Sequence, residues 1–257
     1  MDADSDDFDA VADPELELKL CAGALPAMLL VALLIHWSGI GPMIQRIFLT
    51  MPVHEMGHAI TAWFCGYTAI PTFWKTLVPE SRGFLMTLVF FGGMGFVIYR
   101  AWQAENFALM ALGIAALLLH VVGAFIIKER TAQMLIVFGG DGLGLVLATL
   151  LMASFFFGKG TNLYQGGLRW GFIAIGAAAF VDIYATWGAA RTDSGRIPFG
   201  EQDGGNHSDA TKLVDDFDWT ADQLVRRYVV LGVLCLLALL LVYLWGLWRA
   251  RRAVEER

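Results

Sequence analysis

Positive charge is scarce in this chain. Lys and Arg number 18 against 24 Asp and Glu, a formal net charge of −6. The excess acid is gathered in an N-terminal run and one polar loop, so nothing presents a basic face to nucleic acid. Cysteine is scarcer still. Cys21, Cys65 and Cys235 are odd in number, far apart and within or beside apolar stretches, which excludes a disulfide framework and a cysteine zinc cluster. Five histidines are too few for the oxygen-dependent di-iron chemistry of membrane enzymes. A basic start is also missing. Met1 to Glu17 carries Asp2, Asp4, Asp6, Asp7, Asp9, Asp13, Glu15 and Glu17, the wrong charge for a secretion signal and too polar to offer an apolar face. Residues 1–17 therefore read as a disordered acidic tail.

What remains is oily. Apolar residues make up 57% of the chain and mean hydropathy is +0.59, too high for a soluble domain of this length. The apolar residues come in blocks near the ~20 residues that cross a hydrocarbon core of about 30 Å. Such blocks run from about 20 to 37, 83 to 102, 107 to 127, 134 to 157, 166 to 187 and 228 to 248. The expectation is an all-α, polytopic membrane helix bundle with six or seven transmembrane segments. Residues 18–257 form one membrane-embedded domain, with 188–227 as a polar loop. Trp37, Trp63, Trp74, Trp102, Trp170, Trp187, Trp245 and Trp248 fall at or near segment ends, where an aromatic belt meets the headgroups. Arg249, Arg251, Arg252 and Arg257 close the last segment and predict a cytoplasmic C-terminus for a protein of the cell membrane.

One short apolar stretch departs from this pattern. Thr50 to Ile60 contains His54-Glu55-Met56-Gly57-His58, the pattern His-Glu-x-x-His. Residues four apart share a helix face, so both imidazoles can reach one ion, and Glu55 can serve as general base toward a water on it. Two histidines and a glutamate among Ile47, Phe48, Leu49 and Phe64 are costly at membrane depth without a bound or paired partner. Thr50 can cap the helix, Pro52 is tolerated in its first turn, and Gly66 is a stop signal. From Met51 to Cys65 such a helix is only about 22 Å long, short of a full crossing. Residues 40–49 would complete the passage, as a broken helix does where it lines a watery cavity.

Three further ionisable residues lie well inside apolar blocks, away from their ends. Asp141 sits in Gly139-Gly140-Asp141-Gly142, where glycines allow close approach to the His54 helix. Asp182 sits in Phe180-Val181-Asp182-Ile183-Tyr184, and His120 among leucines and valines. A carboxylate at such depth asks for a cation or a partner. His120 reads as a packed histidine, with a relay or outer supporting role as the alternative.

His54-Glu55-Met56-Gly57-His58 together with Asp141-Gly142 resembles the site-2 protease family of intramembrane zinc metalloproteases. That resemblance implies one zinc per chain, held by His54, His58 and Asp141, with Glu55 as the catalytic base. The implied reaction is hydrolysis of peptide bonds in membrane-protein substrates within the lipid bilayer. Helix parity keeps Asp182 open as alternative ligand or supporting residue: the family core has a single helix between its two motif helices, and two blocks lie between those of His54 and Asp141. Asn206-His207-Ser208-Asp209-Ala210 resembles a Ser-Asp-Ala element of bacterial relatives and reads as an interfacial loop, with Ser208 capping a short helix.

Membrane prenyl-protein proteases also use His-Glu-x-x-His, but take their third ligand from a glutamate on a later helix. Downstream of the motif Glu80, Glu105, Glu129, Glu201, Glu255 and Glu256 all fall outside apolar blocks, which argues against that class. A non-proteolytic alternative is a carrier coupled to ions or protons through His120, Asp141 and Asp182, or a silent relative of the proteases. The carrier leaves the His54, Glu55 and His58 set unexplained.

Overall fold

A computed structural model describes residues 13–157, 167–202 and 206–256. It is an all-α polytopic membrane bundle in which six helices are long and apolar enough to cross a bilayer. They are α1 (Pro14–His36), α4 (Phe84–Gln103), α5 (Phe107–Val121, carried on by a π-helical turn to Ile126), α6 (Glu129–Ala153), α7 (Leu168–Ala190) and α9 (Ala221–Glu255). Between α1 and α4 come α2 (Gly41–Gln45), a π-helical turn (Arg46–Thr50) and α3 (Met51–Phe64). A short α8 (Asp209–Asp215) precedes α9. Strand structure among the described residues is confined to two antiparallel pairs, β1 (Ile70–Pro71) with β2 (Thr76–Leu77) and β3 (Glu201–Gln202) with β4 (Asn206–His207).

The first helix begins earlier than the acidic composition led us to expect. Asp13 caps it through a bond from the Glu15 amide, and Pro14 supplies a preset φ in the first turn. Glu17, assigned to a disordered tail, is buried and paired at 3.0 Å with the buried Arg169 of α7. A burial cost for either charge alone is offset by the other. Residues 1–12 of that expected tail lie outside the described residues.

The motif helix also differs from the expected break. Residues 41–64 run as one helix, with a π turn rather than a gap, and the Met51 amide bonds back five residues to the Arg46 carbonyl. Pro52, which has no amide hydrogen to give, follows directly. Such π turns swing the side chains on either side relative to a regular helix and occur often at functional sites. Here the turn carries Arg46 and directly precedes the residues of the motif. At the other end the helix stops where Gly66 was read as a stop. Gly66 has φ +83°, its amide bonds Trp63 O, and the Tyr67 amide bonds Ala62 O.

Helix α6 packs between α3 and α7 at the centre, the π turn before α3 meets α7, and α1 and α9 are laid against α7. The hairpin of α4 and α5 stands at the periphery, turning Phe84, Leu88, Phe96, Leu112 and Leu118 outward, as a lipid-facing pair does. The glycines around Asp141 bring α6 onto α3. A Cβ on Gly57 would collide with the Gly139 carbonyl and come within 2.7 Å of the Gly140 carbonyl. One on Gly140 would come within 2.5 Å of His54 Cε1 and His58 Nε2. Gly57→Ala is therefore expected to push the two helices apart. The cost is about 1–3 kcal/mol of overpacking, read as a fall in Tm of several degrees in detergent.

Candidate metal centre

His54 and His58 are one helical turn apart on the buried face of α3, with ring centroids 4.6 Å apart and planes perpendicular. Each ring is fixed through Nδ1. His54 Nδ1 lies 2.8 Å from Asp141 Oδ1, and His58 Nδ1 lies 2.7 Å from the Ile136 carbonyl, both on α6. A carbonyl only accepts, so His58 Nδ1 carries hydrogen. Asp141 accepts from Trp187 Nε1 at 2.8 Å on its other oxygen and has Arg46 Nη2 3.8 Å away, so it acts as a carboxylate accepting from His54 Nδ1. In their neutral forms both imidazoles then present a bare lone pair at Nε2.

Those lone pairs converge on a third acceptor. The Nε2 atoms are 3.1 Å apart, and Asp209 Oδ2 lies 3.1 Å from that of His54 and 3.0 Å from that of His58. His54, His58 and Asp209 are the group able to hold a metal ion among the described residues. Protons relieve the repulsion poorly. One proton leaves a lone pair facing the carboxylate, and two put adjacent imidazolium charges beside one oxygen. A cation relieves all three contacts together. Ligand atoms of tetrahedral zinc are about 3.3 Å apart when each sits about 2.0–2.2 Å from the ion, so the triangle needs only a slight opening to accept one. When the imidazoles are protonated, their charge and hydrogen bonds hold the Asp209 carboxyl well below the usual carboxylate range, against the upward push of burial.

Asp209 was read as part of an interfacial loop. Ser208 does cap α8, its Oγ accepting from the Thr211 amide, and this places Asp209 in the first turn. Buried Ala210 and Leu213 anchor the little helix in the core. The Asp141 expectation is corrected in its geometry. An imidazole's two nitrogens face apart, and Asp141 occupies Nδ1 of His54, on the far side of the ring from the convergence point. From there it fixes the orientation and tautomer of the His54 ring, as carboxylates behind zinc-binding histidines do.

Asp182, the alternative ligand, instead pairs with Arg46 Nη1 at 3.1 Å and faces His36 Nδ1 at 3.9 Å. His120 is fully buried, with Nδ1 3.1 Å from the Trp63 carbonyl and its ring stacked on Phe90 at 4.5 Å. Neither belongs to the converging group. Arg46 joins Asp141 and Asp182, whereas His120 is bonded to the Trp63 carbonyl. Trp187 was assigned to the aromatic belt. It is buried, stacked on Tyr228 at 4.2 Å, with its N–H committed to Asp141.

Glu55 and the triangle share an opening. A cavity of about 480 Å³ is lined by Glu55, His58 and Asp209 together with Thr76 of β2, Gln133 of α6 and Lys212 of α8. Thr76 Oγ1 holds Glu55 at Oε2 (2.7 Å) and lies 2.8 Å from the Glu55 carbonyl. A second, small cavity of about 70 Å³ touches the other side of the triangle, between Arg46, Ser208 and Tyr228. Tyr228 is in the second turn of α9, about 10 Å along that helix at 1.5 Å per residue. The centre thus sits below one end of the bundle, within reach of an aqueous face.

No family model, curated protein or solved structure matches this chain.

Proposed function

We propose that this protein is an intramembrane zinc metalloendopeptidase, resembling the site-2 protease family, in which His54, His58 and Asp209 hold the ion. The observation that carries the reading is the meeting of two Nε2 lone pairs and a carboxylate oxygen, each ring fixed from behind, beside a glutamate in a shared cavity. Zinc bound there would supply a Lewis acid for the scissile carbonyl and lower the pKa of the attacking water. Glu55, held by Thr76 at the cavity wall, takes the proton from that water and returns it to the leaving amine. Asp141, fixed by Trp187 and Arg46, holds His54 in the tautomer that leaves Nε2 bare. Trp74, Thr76 and Leu77 line the cavity wall, where an unwound stretch of substrate lies extended. A helical peptide bond is shielded by its own backbone, so a membrane-protein substrate has to unwind locally first.

The arginines at the end of α9 put the C-terminus in the cytoplasm and the centre toward the opposite face. The direct test is cleavage of a single-span substrate co-reconstituted in vesicles. Cleavage is expected to stop with a zinc chelator and to return with zinc; chelator-insensitive cleavage would contradict the reading.

Acid should release the ion, because protons compete with it for the imidazole nitrogens. Zinc affinity is therefore expected to fall as the pH falls. Titration against a zinc chelator of known affinity measures this.

A further inference from the structure

A larger cavity lies away from the metal centre. It is a groove of about 810 Å³ between the C-terminal end of α7, the segment that follows it and the first four turns of α9. Its two ends differ in chemistry. At the mouth stand Arg191, one residue beyond α7, and Arg226 of α9, both exposed. The ion pairs and hydrogen bonds of the described residues leave both guanidinium groups without a partner, whereas Arg227 beside them lies 3.8 Å over the Trp219 ring. Asp222, Thr192 and Ser194 complete the mouth. Farther along α9 the wall is Val230, Val233 and Leu234, which are 49%, 41% and 56% exposed.

We propose that this groove binds one anionic phospholipid of the surrounding bilayer, of the phosphoglycerol class. The phosphate sits between Arg191 and Arg226, whose planar forks suit phosphate oxygens. With Asp222 included, the mouth carries one net positive charge, matching a monoanionic headgroup. Asp222, Thr192 and Ser194 offer partners for headgroup hydroxyls, which a choline headgroup lacks. The valine and leucine wall then receives an acyl chain along α9. Depth agrees with this assignment. Arg191 follows the last residue of one membrane helix and Arg226 lies in the second turn of another, so both stand where phosphates do.

The test uses the full chain in detergent, with binding of phosphatidylglycerol, phosphatidylethanolamine and phosphatidylcholine followed by native mass spectrometry. Phosphatidylglycerol is expected to bind in a 1:1 complex and to outcompete the other two. Each arginine near a membrane surface contributes about fivefold, so Arg191→Gln with Arg226→Gln should weaken binding by roughly 25-fold. The pair Arg191→Lys with Arg226→Lys should retain most of it. Arg251→Gln, at the other end of α9, should leave it unchanged. Leu234→Asn should weaken lipid binding, and soluble glycerol phosphate should compete only at far higher concentration. Equal binding of phosphatidylcholine, an unaffected Gln double variant, or glycerol phosphate binding as tightly as the lipid would each overturn the proposal. All the substituted side chains are exposed, and an unchanged Tm checks that the variants fold.

Discussion

Asp209→Ala is expected to abolish stoichiometric zinc, while Asp141→Asn keeps the ion but holds it more weakly. The contrast follows from which atom each carboxylate meets. Asp209 Oδ2 completes the triangle with both Nε2 atoms, whereas Asp141 bonds the Nδ1 of one ring. Structural zinc sites gain about 10–16 kcal/mol from four ligands, hence about 2.5–4 kcal/mol each, so losing one costs about 70- to 900-fold in affinity. Removing a group that only supports a ligand typically costs about 10- to 100-fold. Asp141 lies in the core, so its variant is also expected to lose thermal stability; Asp209→Ala, nearer the cavity mouth, should lose less. Metal content after gel filtration, with competition for a chelating dye, separates the two. Zinc retained by Asp209→Ala and lost from Asp141→Asn would reverse the assignment.

The second large effect is on turnover. Glu55→Gln should leave zinc bound and lower kcat by about 10²- to 10⁴-fold, the range for a positioned general base. Glutamine keeps the volume and can still accept from Thr76, but it cannot take a proton from water. Thr76→Val, which removes the bond to Glu55 Oε2 without touching the carboxylate, should give a milder loss in kcat and leave zinc unchanged. Rates from single-turnover cleavage in reconstituted vesicles, normalised to zinc content, provide the measure. Full activity in zinc-loaded Glu55→Gln would remove Glu55 from the chemistry.

What the sequence made legible follows the cost of burial. His54, Glu55 and His58 stand out because three polar side chains in an apolar run need a reason to be there. The same holds for Asp141 and its glycines, and the close approach of α6 to α3 is what those glycines permit. The bond of Asp141 to Nδ1 of His54 was not legible, because periodicity places a residue on a face but does not say which nitrogen of a facing imidazole it meets. Asp209 carried no such signal. It lies in a polar loop with Asp215, Asp216 and Asp218 nearby, where another carboxylate costs nothing. Only the Ser208 cap marked the start of α8, and nothing local shows that this turn folds back over α3. Trp187 was similarly disguised. At the end of an apolar block it fits an interfacial belt, and only packing of α7 against α6 turns its N–H onto Asp141. The π turn at Arg46–Thr50 was not legible: Pro52 reads as the first turn of a new helix, whereas the chain enters α3 from a π turn without a break.

X-ray absorption at the zinc edge of the purified full-length protein tests the three-residue centre most directly. The expected result is about one zinc per chain with nitrogen and oxygen neighbours near 2.0–2.1 Å, the multiple-scattering signature of two imidazoles, no sulfur, and a spectrum retained in Asp141→Asn but absent from Asp209→Ala. Protein that carries no zinc after purification without chelators and does not take it up at micromolar concentration would contradict the account, as would a spectrum unchanged by loss of Asp209.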